Sequence, residues 1–129
     1  LRRDWTGRNV NLKKLIDRLS DFLKEKDFEA VRGEKENGFQ FFAQNSSFYK
    51  FNGYFTITIE GKPEEFFVEL ELSDKAKKAH LYPVMSTTLL GGGYFLLRSL
   101  KAREEWSRFE RDFWEYTDRV IDYLSHSSN

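Results

Sequence analysis

The sequence predicts an α+β fold: an antiparallel sheet of four or five strands, with an N-terminal helix and a long C-terminal helix packed on one face. Three observations carry this. Apolar residues recur at helical spacing near both ends of the chain. Between them the period drops to two, as in half-buried strands. No strand-helix-strand alternation appears, which argues against a parallel sheet. The 129 residues fit one domain, 1–129, able to bury roughly two thirds of its unfolded surface.

Residues 1–10 lack periodicity and read as a tail, with Arg2, Arg3 and Trp5 available to dock it. The first helix spans 11–26. Asn9 or Asn11 can cap it, and Leu12, Leu15, Ile16, Leu19, Phe22 and Leu23 form its buried stripe. Residues 28–84 read mainly as sheet. Phe28 to Lys35 is a strand, Asn37-Gly38 signals a two-residue turn, and Phe39, Phe41 and Ala43 alternate with Gln40, Phe42 and Gln44. Asn45-Ser46-Ser47 reads as loop and also matches the short N-glycosylation pattern.

Phe48 to Glu60 is either one strand with a bulge at Asn52-Gly53 or two short strands. Gly61 to Glu64 is a turn. Phe66, Val68, Leu70 and Leu72 then alternate with Phe67, Glu69 and Glu71. Residues 73–80 are a charged connection. Leu81 to Val84 fit an edge strand, and Gly91-Gly92-Gly93 a corner before Tyr94 to Leu97. The second helix spans 99–124, with Trp106, Phe109, Phe113, Thr117, Val120 and Leu124 in one stripe. Packing the helices on the sheet sets Phe41, Phe55, Ile57, Val68 and Leu70 against Leu15, Leu19, Phe109, Phe113 and Val120.

Composition narrows the function classes. The chain has no cysteine, which removes disulfides and thiolate metal sites. With no targeting segment visible either, the expected compartment is the cytoplasm. The chain begins at Leu1 rather than Met, which is compatible with a processed or trimmed piece. No run reaches the 18 or so apolar residues of a membrane span. Twenty-one basic groups balance twenty-one acidic ones, so nucleic acid is not an expected partner. The charge is uneven: residues 1–26 sum to +4, 27–73 to −5, 74–98 to +3 and 99–129 to −2. Lys75, Lys77, Lys78 and His80 form a small basic run that reads as a solvated loop.

No catalytic constellation stands out. His80 and His126 lie far apart with no metal-ligand spacing, and no nucleophile elbow or phosphate loop is present. Glu69 and Glu71 share a strand face, where paired carboxylates normally serve solubility and edge protection. Glu110 projects toward the apolar side of the second helix, between Trp106 and Phe113, so it is either a rim residue or a carboxylate needing a partner. The reading therefore predicts no enzymatic activity and no cofactor.

The order of helix, antiparallel strands and long helix is similar to the layout of small dimeric chaperone-like and ligand-carrying domains. That resemblance concerns layout only. Two functions follow as expectations. The first is a protein-interaction or self-association module, with a homodimer or another protein as partner. Strand alternation sends Phe42, Tyr54 and Phe67 outward, away from the helices, where together they would make an apolar interface patch rimmed by Gln, Thr and Glu. The alternative is a carrier of a small apolar ligand. Its cavity would lie behind the second helix, walled by Tyr94, Trp106, Phe109 and Phe42, with Glu110 at hand.

Overall fold

Backbone pairing, rather than helix packing, organises this chain. The computed structural model describes residues 1–72 and 100–126. In order, the elements are β1 (Arg2–Thr6), α1 (Leu12–Glu25), β2 (Phe28–Lys35), β3 (Gly38–Ser46), β4 (Phe51–Lys62), β5 (Glu65–Leu72) and α2 (Leu100–His126). The five strands form one sheet in the order β1-β5-β4-β3-β2, with every neighbouring pair antiparallel. Residues 81–84, 91–93 and 94–97, and the basic run at 75–80, lie outside the described residues.

The helices follow the predicted stripes. Asn11 caps α1 by accepting the Lys14 N–H at 3.1 Å, which satisfies a donor that the first turn leaves free. All ten residues expected to form the helix–sheet contact are buried. Phe109 sits at the centre. Its ring centroid lies 4.9–6.4 Å from those of Phe22, Phe28, Tyr49, Phe55, Trp106 and Phe113, within the range aromatic pairs prefer.

Three local expectations need correction. Residues 1–10 are not a tail, because Arg2–Thr6 add an edge strand to β5. Trp5 stacks on Phe66 at 5.5 Å on the helix side of the sheet. Gly7 and Val10 then donate their N–H groups to the Glu64 and Pro63 carbonyls of the β4–β5 turn. The alternation in this strand was hidden by Arg3, a charged residue on the inward side. It keeps its charge satisfied by pairing with Asp118 at 3.2 Å while its guanidinium lies over the Trp114 ring.

The second correction concerns the β2–β3 turn. Lys35 pairs with Gly38, so the loop residues are Glu36 and Asn37. Gly38 is needed for space, not for a left-handed backbone: a Cβ there would fall 1.9 Å from the Ile59 carbonyl oxygen of β4. The third is that Ser46 still belongs to β3, where its hydroxyl bonds the Lys26 carbonyl and accepts the Tyr49 N–H.

Of the two readings of residues 48–60, the single bulged strand holds with other bounds: it runs Phe51–Lys62, so residues 48–50 are turn and Gly61 and Lys62 pair with β5, leaving only Pro63-Glu64 as the turn. Between the pairs Gln44–Tyr54 and Ser46–Phe51, Asn45 alone faces both Asn52 and Gly53. The Gly53 N–H donates to the Asn45 side chain at 3.1 Å, and the Phe51 ring occupies the space a Gly53 side chain would need. Asn45 is also the extra residue against β2, between Phe28–Ser46 and Glu29–Gln44, and has φ 47°. The doubled irregularity bends the strand ends, bringing Phe28 and Phe51 into the core.

Candidate functional site

The register decides what becomes of the outward-facing residues. On the sheet face away from the helices, one cross-strand row runs Val31, Phe42, Thr56, Glu71. The next runs Gly33, Gln40, Thr58, Glu69, Arg2, and a third runs Lys35, Gly38, Glu60, Phe67, Asp4. Tyr54 stands in a fourth, opposite Gln44. Phe42 and Tyr54 are therefore diagonal neighbours on adjacent strands. Phe67 lies two rows and two strands from Phe42, beneath the Arg2 guanidinium at 3.9 Å. The three rings do not form one patch.

This face is also drier than alternation implied. Thr56 is 2 % exposed, Thr58 8 % and Gln44 4 %. The Gln40 amide donates to the Thr58 hydroxyl at 3.0 Å. Val31 stands out against them: it is 48 % exposed, on the strand that ends the sheet among the described residues, in register with Phe42.

The pocket candidates separate. Trp106 and Phe109 are core residues, 8 % and 0 % exposed, and their rings pack against Phe55 and each other. Tyr94 lies outside the described residues. Glu110 is half-buried on the rim of an open groove that also borders Arg3, Ser107, Arg111, Trp114 and Asp118. Trp114, absent from the predicted stripe, is 4 % exposed, and its indole N–H has no hydrogen-bond partner among the described residues. Glu69 is in register with Thr58 and Arg2, and Glu71 with Thr56. No group of three or more His, Cys, Asp or Glu side chains able to hold a metal occurs among the described residues. No helix among them is long and apolar enough to cross a membrane.

A second groove, of about 950 Å³, lies between the β3–β4 turn and the first half of α2. Phe48, Lys50, Lys101, Arg108 and Arg111 border it, with Glu104 and Glu105 as counter-charges. Beneath it lies a buried polar contact that sequence reasoning missed. Tyr49 is 0 % exposed, and its hydroxyl donates to Asp112 at 2.8 Å, while the Arg108 guanidinium donates to the Tyr49 carbonyl. Nothing in the local pattern marks Tyr49, because it lies in a turn whose burial depends on α2 crossing above.

Burial, and next the hydrogen bond to the Asp112 carboxylate, hold the Tyr49 hydroxyl above its ordinary value near 10; Arg108 and Arg111 oppose the shift. The sign follows directly. Below the ordinary value both folded and unfolded chains keep the proton and the full contribution is present. As pH rises past it, only the unfolded chain ionises, so stability falls. Tyr49→Phe should cost about 1 kcal/mol at neutral pH. It should also flatten the loss of stability between about pH 10 and 12, measured by urea titration at each pH.

No family model, curated protein or solved structure matches this chain.

Proposed function

We propose that this chain is a protein-interaction module that receives an extended segment of its partner along β2, with Val31 and the adjoining Phe42 as the apolar centre of the contact. The single observation behind this is the exposure of Val31 on a sheet edge. An edge strand presents a row of backbone donors and acceptors, and strand addition uses them for affinity and alternate side chains for specificity. The two edges differ. β1 pairs over five residues and carries Arg2, Arg3 and Asp4. β2 is eight residues long, contains no proline, and closes the sheet among the described residues. Around Val31 and Phe42, the residues Glu29, Lys35 and Gln40 supply the polar rim that interfaces carry.

A photo-crosslinking amino acid placed at Val31, and in a separate variant at the somewhat more exposed Tyr123 on α2, tests this in the native cell. The expected result is a defined protein adduct from position 31 and none from position 123. Absence of any adduct at 31, or the same adducts from both sites, would defeat the reading.

A further inference from the structure

The charges on β2 point to one occupant. On the interaction reading just given, which this inference deepens, we infer that the strand added at β2 is β2 of a second copy, antiparallel to the first, with Val31 on the two-fold axis. The result is a continuous ten-stranded sheet across the dimer.

The argument is one of self-complementarity, which a two-fold interface requires. In an antiparallel pair of identical strands, residues placed opposite each other must share a face, so the axis passes through a residue. An axis through Val31 sets it against the partner's Val31. Ala30 then faces the partner's Arg32, Glu29 the partner's Gly33, and Phe28 the partner's Glu34, so no like charges stand directly opposite. On the outer face the axis joins two apolar pairs end to end, because Val31 is already in register with Phe42. The four-residue apolar row would run from Phe42 through both valines to the partner's Phe42. Directly opposite side chains of this kind are the unit of sheet stabilisation.

Neighbouring registers lose this match. An axis through Arg32 sets that guanidinium against its own copy, a repulsive pair on the helix side. An axis through Gly33 puts Val31 opposite the partner's Lys35 and divides the apolar row. It would offer Arg32 to the partner's Glu34, but Arg32 is already held by Asp17 at 3.1 Å and lies over the Phe39 ring. Charged edges normally deter foreign strands. Here the charges exclude the Arg32 axis. An axis through Ala30 opposes no like charges, but it sets Val31 against the partner's Glu29 and divides the apolar row. Charge and row together favour Val31.

The absence of native cysteine makes the test clean. Single cysteines at Ala30, Val31, Arg32 and Gly33 in the full chain are oxidised mildly, and the rate of disulfide-linked dimer is followed. Light scattering on the parent and on Val31→Lys gives the mass and its concentration dependence. The inference expects twice the 15.4 kDa chain mass for the parent, fastest crosslinking for Val31→Cys, and dimerisation weakened at least about tenfold in Val31→Lys. Val31 is a surface residue, and a thermal melt checks that the lysine variant stays folded. Fastest crosslinking at Ala30, Arg32 or Gly33, or an unchanged Val31→Lys dimer, would overturn the Val31-centred arrangement. A parent chain that stays monomeric at every concentration would overturn the second copy as occupant. In that case an adduct of position 31 with a different protein leaves the interaction reading standing, and no adduct removes both.

Discussion

Replacing Phe109 by alanine is expected to cost about 3–5 kcal/mol of folding stability. Large-to-small changes in a core lose the transfer free energy of the removed ring and leave a cavity the surroundings only partly refill. Both effects are near their maximum here. Phe109 is fully buried and touches aromatic rings from α1, β2, β4, the β3–β4 turn and α2 itself. Rings held by so many neighbours, two of them edge to face, cannot collapse together without losing their own geometry. Net stabilities of domains this size are about 5–15 kcal/mol, so the variant should be near the edge of folding. A urea titration followed by tryptophan fluorescence measures it. A loss under about 1 kcal/mol would mean that the ring cluster is not the centre of the core.

The second large effect is expected at Gly38. An alanine Cβ would stand 1.9 Å from the Ile59 carbonyl oxygen and 2.8 Å from the Glu60 Cα. These are backbone atoms of a strand bonded on both sides, so no side chain can swing away to relieve the clash. Gly38→Ala should cost about 3 kcal/mol, through displacement of β4 or loss of the end pairs between β3 and β4. Gly33→Ala provides the internal control. Its added methyl would meet the Gln40 carbonyl oxygen at 3.8 Å and the Phe42 ring at 3.9 Å, ordinary contact distances. That variant should be within about 0.5 kcal/mol of the parent or slightly more stable, because alanine also restricts the unfolded chain. Equal losses for the two glycines would refute the close-approach explanation.

The interface candidates illustrate where a sequence reading stops. Alternation placed Phe42, Tyr54 and Phe67 on the sheet face away from the helices, and their register positions agree. It carried no information on how far apart they would stand. That separation depends on the β3–β4 register with its bulge at Asn52-Gly53 and on the two-residue turn at Pro63-Glu64. Each shifts one strand along its neighbour. Val31 went unremarked because a lone valine in a charged strand carries no signal until its strand is known to be an edge.

What the sequence by itself determined were properties that repeat within a few residues: the two amphipathic helices, the alternating strands and the side of the sheet that becomes core, whereas the choice of Asn11 over Asn9 as cap and of a bulge over two short strands came from the structure. The repeating properties follow from backbone geometry, which gives each element its own period whatever it packs against. Only the tertiary structure decided that Arg2–Thr6 are a strand, that β2 and β1 are the sheet edges among the described residues, and that Tyr49 is sealed under α2 against Asp112. Each of these joins residues distant in the chain. Arg3 faces inward because Trp114 and Asp118 are there to receive it, 111 and 115 positions later. Local pattern cannot encode such partners, since the free energy that fixes them arises when separate elements meet.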